Sequence, residues 1–522
     1  MKSSTIHLPD GQTYTVQPVF GGLFFKSHEL NKTHPSPFPI GWTIVIHTED
    51  DNANNDHDED DSQAIDHTSD SDQGPLRKSY THSFTCPTLQ NDSLYISSIS
   101  NPSSAHFKPA ASPTRQIAMM LWITLYWYFH QPSPSKVLPA TESSRYTAPE
   151  GRPRGDWRIN IKRDGVLRGR NLIPKLERMG LIASLDSAVG SSMDDAGEEW
   201  ANMFVSQNMF WQIPGRLFLF TLQPTHKGTN SRPVSPASSR PSSPVQNHQP
   251  LNQPQSPTFH LNADVPGAPP PQTIASAPSV PISPFYSSSH LPTYYPPSPL
   301  QYTVSNNVRH PVRPKPPRMG EVFYTRYIPS VGKYLSFRVA SSSSNPVPYV
   351  GPVSSTPTDN QDLTTMCDIV LVQKWLSKPR VAKFWGNYVP NFLTNALASR
   401  HSFPAIGMWD GVPFGYFELY WVKEDILGRY ANADDWDRGL HVFIGEEWAR
   451  GRVETWLTSL VHWIFCSDYR TMSVCIEPRV DNERFIQHLQ AGGFVKEKEI
   501  TFPHKQSWFG RLRRENWDGP RI

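Results

Sequence analysis

The 522-residue sequence has only four cysteines, and neither a Cys-x-x-Cys pair nor a zinc-type spacing occurs among Cys86, Cys367, Cys466 and Cys475. Such sparse cysteine is typical of free thiols in a reducing compartment, and we expect no metal. Charge is also scarce: 18% of residues are charged, and 49 Lys and Arg against 47 Asp and Glu leave a formal net charge of +2. Nucleic-acid binding requires a clustered basic excess, so this class of protein is not expected.

Long apolar runs and targeting signals are lacking as well. The longest apolar run, residues 117–129, is shorter than the roughly 20 residues of a membrane-spanning helix. The first residues contain no apolar signal region, and residues 519–522 do not form a Ser-Lys-Leu-type peroxisomal signal. We therefore expect a cytoplasmic protein without membrane contact, in which residues 113–130 form a buried helix.

Proline is abundant in one segment, because 23 of the 52 prolines lie within residues 224–318. Apolar residues are few and irregular there, so burial cannot offset the entropy lost on ordering, and we predict a disordered Pro/Ser-rich insert. Five Ser-Pro steps and the stretch Arg-Pro-Lys-Pro-Pro-Arg at residues 313–318 suggest contacts with proline-directed kinases and SH3-type domains. Disorder alone explains the Ser-Pro steps equally well.

The insert separates an N-terminal region, residues 1–223, from a strand pair with a linker, residues 319–360, and a C-terminal domain, residues 361–522. Alternating apolar residues around Asp10-Gly11 predict a hairpin in the N-terminal region. Further strands are predicted at residues 41–46 and 210–221, and the acidic segment 49–75 is expected to be a disordered loop. The N-terminal region therefore reads as α+β.

Helical and strand patterns alternate in the C-terminal domain. They predict helices at residues 363–375, 392–399, 423–430, 452–465 and 482–490, and strands at residues 405–409, 412–422, 440–444, 473–476 and 494–500. An α/β fold with a mixed sheet and helices on its faces is the expected architecture. The turn at residues 445–451 leads from a buried strand into a helix, so its amides and the two arginines there suggest a pyrophosphate site. A purely structural turn is the alternative.

Several motifs in this domain resemble one enzyme family. They cover about 120 residues in order and lie at residues 411–421, 423–425, 437–445, 470–471, 477–482, 493–494 and 502–505. The sequence resembles the fungal N5-hydroxyornithine acyltransferases of hydroxamate siderophore biosynthesis, which have the GNAT fold and are related to the aerobactin lysine N-acetylase. The resemblance implies a GNAT acyltransferase domain at the C-terminus and an N-terminal region that is itself a candidate GNAT-like unit.

The resemblance also implies the site residues. His401 and Asp437 match the family's catalytic positions, with His401 suited to accept a proton near neutral pH. Acyl-CoA would contact Leu440, Val442, Ile444, Gly445, Arg450, Gly451, Arg452 and Asn482. The sequence departs from the family's pyrophosphate pattern at Trp448 and Val453, so there the backbone carries the contact. Asn482 has helix capping as its alternative role.

Candidate residues for the acceptor amino acid are Glu418, Tyr420, Trp421 and Glu424, while His441 is interpreted as a packed core histidine. The expected reaction transfers an acetyl group from acetyl-CoA to N5-hydroxyornithine, a small-molecule substrate, within iron homeostasis. Three alternatives remain open. The first is a larger donor, anhydromevalonyl-CoA; the second is an inactive GNAT domain that acts as an interaction protein; the third is acetylation of protein lysines.

Overall fold

The computed structural model of the chain describes residues 2–28, 39–50, 80–101, 113–169, 171–183, 203–219 and 300–521. Most of the predicted acidic loop, from residue 51 to residue 75, lies outside these ranges. So does the predicted insert from residue 224 to residue 299, with its five Ser-Pro steps. Those expectations therefore remain predictions.

The N-terminal region contains one eight-stranded sheet. Its strands are β1 (Ser4–His7), β2 (Thr13–Val19), β3 (Gly22–Ser27), β4 (Gly41–Asp50), β5 (Tyr80–Ser83), β6 (Asp92–Ser100), β7 (Arg158–Ile161) and β8 (Phe204–Ser206). Its helices are α1 (Pro113–Tyr128), α2 (Ile173–Arg178), α3 (Gln207–Gln212) and α4 (Arg216–Leu219). The order is β1-β2-β3-β4-β6-β7-β8, with β5 beside β4. The predicted hairpin at Asp10-Gly11, the strand from residue 41 and the helix from residue 113 are confirmed.

Helix α1 is buried on every side from Gln116 to Tyr128, as its predominantly apolar sequence requires. Two polar contacts fix it to the sheet: Trp42 Nε1 donates to Thr124 Oγ1 at 3.0 Å, and Tyr128 Oη donates to Asp92 Oδ2 at 2.6 Å. Both are buried, so each contact satisfies a polar group that would otherwise cost free energy. Within the described ranges, no helix combines the length and the apolarity needed to cross a membrane.

The strand predicted at residues 210–221 is wrong over residues 210–219, where the end of α3 is followed by α4. Residues 220 and 221 lie outside the described ranges. The hydroxyl of Ser206 accepts a hydrogen bond from Met209 N, which caps the first turn of α3. Phe210 and Trp211 are then buried together. Tertiary packing and this cap therefore outweigh the β propensity of the aromatic residues.

The C-terminal half forms a second eight-stranded sheet in the order β11-β12-β13-β14-β15-β16-β18-β17. Its strands are β11 (Val322–Ile328), β12 (Lys333–Val339), β13 (Ser402–Trp409), β14 (Val412–Trp421), β15 (Arg438–Ile444), β16 (Ser473–Ile476), β17 (Val495–Thr501) and β18 (Gln506–Arg513). Its helices are α5 (Asp368–Leu376), α6 (Pro379–Trp385), α7 (Phe392–Ala398), α8 (Val453–Ser467) and α9 (Glu483–Ala491). The predicted mixed α/β architecture is confirmed. The segment predicted as a helix at residues 423–430 is only a 3-10 turn, Ile426–Arg429.

One parallel step interrupts the otherwise antiparallel sheet. Strand β15 leads through α8 into β16, and the two strands pair only at Arg438 with Val474 and at Gly439 with Cys475. The N-terminal sheet repeats this plan, since β6 leads through α1 into β7 with only two parallel pairs. Strand β12 pairs with β13, and β11 pairs with β12, so both strands belong to the sheet of the C-terminal domain rather than to a separate unit.

The end of the predicted insert was expected to be disordered, but residues 300–318 contain two strands and are partly buried. Strands β9 (Tyr302–Ser305) and β10 (Val308–Pro311) form a separate antiparallel hairpin. Its two-residue turn, Asn306 and Asn307, has left-handed φ angles of 51° and 62°. Asparagine tolerates that conformation, which matches the twist of a tight hairpin. We call residues 302–311 the insert hairpin.

The two halves share one continuous hydrophobic core. Trp211 of α3 packs edge-on against His462 of α8, with ring centroids 5.4 Å apart. Asn208 Nδ2 donates to Trp517 O at 2.7 Å, and Arg514 Nη1 donates to Gln212 Oε1 at 3.2 Å. The chain beyond β18 is therefore fixed to the N-terminal region.

Candidate active site

A wedge opens where β15 and β16 separate beyond Gly439. A Cβ at Gly439 would lie 2.0 Å from the ring of Tyr420, so only glycine fits at the apex of the wedge. Past this point the edge of β15 faces α6: Trp385 Nε1 donates to Val442 O at 3.2 Å, and Arg380 Nη1 donates to Ile444 O at 2.6 Å. The predicted CoA contacts at Leu440, Val442 and Ile444 thus belong to one strand edge that has no neighbouring strand.

The predicted pyrophosphate turn lies at the open end of the wedge. Gly445 packs against Trp375, Gly451 adopts a φ of +89°, and Arg452 directly precedes the 15-residue helix α8. Unpaired amides and the positive end of the helix dipole favour an anion at such a position. Arg452 Nη1 is buried without a partner, and burial lowers the pKa of this guanidinium, as expected of a cation that awaits a counter-ion.

Two basic side chains beside this turn were not predicted from the sequence. Lys378 Nζ donates to Gly445 O at 2.8 Å, and Arg380 Nε lies 2.7 Å from Glu447 Oε1. Glu447 also pairs with Arg450 at 3.0 Å. The signal in the sequence is Lys378-Pro379-Arg380, where a proline that begins a helix sets two basic residues at its first turn.

Asn482 precedes α9, but its side chain makes no capping hydrogen bond. Its backbone oxygen accepts from Phe485 N and Ile486 N. The neighbouring Arg479 donates to Lys383 O at 2.8 Å, which ties this loop to α6. The alternative role of Asn482 as a helix cap is therefore not realised, while its contact with CoA stays a prediction.

A cluster of polar side chains occupies the sheet face near the apex of the wedge. His441 Nδ1 lies 3.1 Å from Glu418 Oε2, and His441 Nε2 lies 2.7 Å from Glu477 Oε1. Tyr420 Oη donates to Glu477 Oε2 at 2.8 Å, and Lys505 Nζ lies 3.3 Å from Glu477 Oε1. We call Glu418, Tyr420, His441, Glu477 and Lys505 the apex cluster.

The apex cluster holds an imidazolium between two carboxylates. Burial alone would lower the pKa of His441, but the charge of Glu477 and hydrogen bonds to both carboxylates raise it to about 10. Burial likewise opposes the charge on Glu477, yet His441 and Lys505 lower its pKa to about 2. The interpretation of His441 as a packed core residue is wrong. Its pairing with Glu418 follows from the antiparallel register of β14 and β15, which a strand alignment could have revealed.

The predicted catalytic residues flank the end of β14 on opposite sides. Trp421 N donates to His401 O, and Val422 N donates to Asp437 O, so two strand spacings of about 4.8 Å separate them. His401 Nε2 lies 3.3 Å from Asp425 Oδ2. No hydrogen bond joins His401 to Asp437 in the part of the chain that the structure describes.

Asp437 is fully buried and already paired. Its Oδ2 accepts from Arg511 Nη1 at 2.8 Å and from Asp434 N at 3.1 Å, while Oδ1 has no hydrogen-bond partner. Burial raises the pKa of Asp437 to about 6, even though hydrogen bonding and Arg511 act in the opposite direction. This carboxyl can therefore change its protonation state near neutral pH, but solvent does not reach it.

The predicted acceptor-binding residues separate into two groups. Glu418 and Tyr420 belong to the apex cluster. Trp421 points to the opposite sheet face, since neighbours along a strand alternate, and the guanidinium of Arg438 lies 3.9 Å from its ring. Glu424 is buried and bound by Arg313 at 2.7 and 2.6 Å. Its carboxylate is neutralised within the protein.

Arg313 was predicted to belong to an SH3-type ligand, and its position argues against that role. Its guanidinium is buried against Glu424 and lies 4.4 Å from the ring of Trp421.

Among the described residues, no group of His, Cys, Asp and Glu is arranged to hold a metal ion.

Comparison with known proteins places residues 364–502 in the acetyltransferase (GNAT) domain family. The chain is 54% identical to N5-hydroxyornithine acetylase sidL of Beauveria bassiana, over 97% of this chain and the full length of that protein. It is 35% identical to the N(6)-hydroxylysine O-acetyltransferase of Escherichia coli, over 40% of this chain and 60% of that protein. It is 32% identical to the N(5)-hydroxyornithine:cis-anhydromevalonyl coenzyme A-N(5)-transacylase of Beauveria bassiana, over 42% of this chain and 48% of that protein.

Proposed function

The chain belongs to the family of N5-hydroxyornithine acetylase, a family of GNAT acyltransferases, and we propose that it transfers the acetyl group of acetyl-CoA to the N5 nitrogen of N5-hydroxyornithine. The product is the hydroxamate used in a siderophore. The observation that carries this proposal is the apex cluster at the closed end of a wedge whose open end has an anion-binding turn. A thioester lying along the edge of β15 would present its carbonyl carbon to that cluster. We place the reaction in the cytoplasm.

The reaction forms one C–N bond and breaks one C–S bond. The lone pair of the hydroxylamine nitrogen attacks the thioester carbonyl carbon, and the CoA thiolate leaves. The nitrogen loses one proton, and the sulfur gains one. A protein therefore contributes most by holding the nitrogen near the carbonyl, by accepting its proton and by stabilising the negative charge of the tetrahedral intermediate.

Within the apex cluster, we assign these tasks to Glu418 and His441. The carboxylate of Glu418 is partly exposed and is fixed by His441 and by Ser402 Oγ at 3.4 Å, so it can accept the proton from N5. The pKa of about 10 keeps His441 cationic at neutral pH, and a cation at the apex stabilises the tetrahedral oxyanion. Burial raises the pKa of Tyr420 well above its usual value, so its hydroxyl remains a donor.

His401 with Asp437, the pair implied by family resemblance, is the second assignment. His401 is partly exposed and next to Asp425, so it can exchange a proton with the acceptor. Asp437 would act through Oδ1, since Arg511 contacts only Oδ2. Turnover of the single variants Glu418→Gln, His441→Gln, His401→Ala and Asp437→Asn separates the assignments, because kcat falls most for the groups that contact the reacting atoms.

For the CoA diphosphate, we assign the amides of Gly451 and Arg452 and the side chains of Arg450 and Arg452, because the amide of Arg450 already donates to Glu447 O. Lys378 and Arg380 both contact Gly445 O at the same end of the wedge, and we assign them to a further phosphate of CoA. GNAT acyltransferases use an acyl-CoA as co-substrate. Acetyl-CoA is the donor that the name of the full-length relative favours.

The test incubates the purified full chain with N5-hydroxyornithine and either acetyl-CoA or anhydromevalonyl-CoA, and follows thiol release and product mass. We expect acetyl transfer to N5-hydroxyornithine and little to ornithine, whose protonated amine is not a nucleophile at neutral pH. A preference for anhydromevalonyl-CoA would identify it, rather than acetyl-CoA, as the donor. Turnover of lysine peptides alone would favour protein acetylation, and no turnover with either donor would favour an interaction protein.

A further inference from the structure

A cavity of about 420 Å³ separates the turn of the insert hairpin from the start of β13. Asn306 and Asn307 line one side, and His401, Asp425 and Arg429 line the other. Glu424 also lines the cavity, but its carboxylate is already bound by Arg313. Asp425 is therefore the carboxylate left for a ligand, beside one guanidinium, an imidazole and two amides. These are the groups that recognise a zwitterion, in which a carboxylate and an ammonium share one carbon atom.

Arg429 is the cation of this cavity. It ends the 3-10 turn Ile426–Arg429, its side chain is exposed, and it makes no ion pair with any residue that the structure describes. Asp425 begins the same turn and is fixed: Leu427 N donates to Oδ1 at 2.9 Å, and Oδ2 faces His401. The turn thus presents opposite charges at its two ends.

The opposite wall is held rigidly although the hairpin belongs to the proline-rich segment. Within the hairpin, His310 Nδ1 lies 3.0 Å from Glu424 Oε1, and Tyr302 Oη donates to Asp435 Oδ2 at 2.8 Å. Two residues beyond the hairpin, Arg313 Nε donates to the same carboxylate at 2.7 Å. The left-handed backbone of Asn306 and Asn307 fixes the turn. The two amides consequently occupy defined positions above the cavity.

The cavity lies within reach of the apex cluster. Ser402 follows His401 and contacts Glu418, and the rings of Tyr420 and His441 are 4.5 Å apart. One strand spacing of about 4.8 Å separates Ser402 on β13 from its partner Tyr420 on β14. An extended ornithine covers roughly 6 Å from its carboxylate carbon to N5 with bonds of about 1.5 Å. A head group in the cavity would thus direct N5 toward the apex cluster.

We propose that this cavity binds the α-ammonium and α-carboxylate of the acceptor amino acid, with Arg429 on the carboxylate and Asp425 on the ammonium. The turn of the insert hairpin closes the cavity and selects an acceptor that carries both groups. The proposal rests on the proposed function, because it names the head-group site of the same acceptor. It also gives the end of the proline-rich segment a role in substrate choice.

Paired acceptors test the proposal: N5-hydroxyornithine and N-hydroxyputrescine, which has the same hydroxylamine arm but no carboxylate. We expect Arg429→Ala to lower kcat/KM for N5-hydroxyornithine roughly 10- to 100-fold, mainly through KM, as for a lost charge-assisted hydrogen bond. Turnover of N-hydroxyputrescine and the KM for acetyl-CoA should not change. A carboxylate-dependent loss would not result from a purely structural role of Arg429.

Two further variants complete the test. Asn306→Gly with Asn307→Gly keeps the left-handed turn while removing both amides, and we expect a smaller rise in KM for N5-hydroxyornithine alone. Arg163→Ala, an exposed arginine of the N-terminal region, is the matched control. If Arg429→Ala lowers turnover of both acceptors equally, or of neither, the head-group site is refuted while the acyltransferase stands. If the wild-type protein acetylates neither acceptor, the proposed function fails as well.

Discussion

Arg313 donates two parallel hydrogen bonds to the buried carboxylate of Glu424, across 111 residues of sequence. Such bidentate pairs combine charge with geometric specificity. The contact joins the last part of the proline-rich segment to the loop that follows β14. It therefore couples a region that sequence composition marks as disordered to the wall of the candidate acceptor site.

Loss of this pair should destabilise the protein more than loss of a surface arginine. Arg313→Ala leaves a buried carboxylate with only His310 beside it, and removing one partner of a buried pair costs about 3–5 kcal/mol. The free energy of unfolding from urea titration measures this. The control Arg318→Ala should stay within about 0.5 kcal/mol of the wild type. The double variant Arg313→Met with Glu424→Leu should recover most of the loss, and failure to do so would mean that the anchor is not the charge pair.

The proline-rich segment should be dispensable only as far as residue 299. Replacing residues 228–299 by a Gly-Ser linker of about 20 residues leaves every described contact in place, so we expect full acetyl transfer. Extending the deletion to residue 312 removes the insert hairpin, and we expect KM for N5-hydroxyornithine to rise while KM for acetyl-CoA stays constant. Steady-state kinetics on both deletions check this. Equal activity of the two would show that the hairpin has no part in acceptor binding.

His441 should matter for turnover more than for binding. His441→Gln keeps a hydrogen-bonding side chain but removes the positive charge between Glu418 and Glu477. Loss of a group that stabilises the tetrahedral oxyanion lowers kcat by about 10²- to 10³-fold, with little change in either KM. Asn391→Ala, on the loop before α7, is a matched polar control. If the His441→Gln enzyme keeps the wild-type kcat, stabilisation of the oxyanion would be assigned to His401 instead.

The pyrophosphate turn should act on the donor alone. Arg452→Ala removes a partly buried cation whose Nη1 is buried without a hydrogen-bond partner. We expect KM for acetyl-CoA to rise roughly tenfold, with the KM for N5-hydroxyornithine unchanged. Desulfo and dephospho analogues of CoA extend the measurement. Dephospho-CoA keeps the diphosphate, so a diphosphate contact is preserved with this analogue. Arg450 is exposed and paired with Glu447, so Arg450→Ala should have the smaller effect. The reverse order would exchange their assignments.

Stability should fall as the pH is lowered from neutral. Burial, with a further contribution from Arg326, lowers the pKa of both His130 and His462 to about 3. Unfolded histidines titrate near 6.5, so between pH 6.5 and 3 the unfolded state binds more protons than the folded state. Each histidine then removes up to about 1.4 kcal/mol of stability per pH unit. Asp437, whose pKa of about 6 lies above its unfolded value, offsets part of this below pH 6.

Urea midpoints between pH 7 and pH 5 measure this dependence. The variant His462→Gln should lower the slope of unfolding free energy against pH, because one of the two proton-binding differences disappears. Asp437→Asn should steepen it, since the opposing carboxyl is gone. A midpoint that does not change over this range would contradict the burial of both neutral histidines.

Local patterns were enough for most of the C-terminal sheet. The alternation around β14 and the apolar run of α1 specify a strand and a buried helix because local period and burial agree there. Local patterns failed at residues 210–219, where the Ser206 helix cap and tertiary packing outweigh the β propensity of the aromatic residues. Strand β18 was not predicted, because Arg511 and Arg513 interrupt its apolar pattern, and Arg511 is stabilised by Asp437 from a distant part of the chain.

The site shows the same division. The pyrophosphate turn and its arginines are contiguous in the sequence, so they could be predicted together. Glu418 and Tyr420 of the apex cluster were predicted as acceptor-binding residues, but the roles of His441 and Glu477 were missed. Glu418, His441 and Glu477 come from three strands or strand ends, and their contact depends on register. The insert hairpin was missed because its partners Glu424 and Asp435 lie more than 100 residues away. Composition cannot report such long-range compensation.

The contact of Trp211 with His462, and of Asn208 with Trp517, has a consequence for how the molecule folds. The two halves share one core, since Trp211 packs against aromatic residues of its own half and also against His462 of the other. The chain should therefore unfold in one cooperative step, without a populated intermediate in which the acetyltransferase half survives by itself. Loss of a buried residue in α1 would then be felt as lower abundance of active enzyme, at a site that the residue never touches.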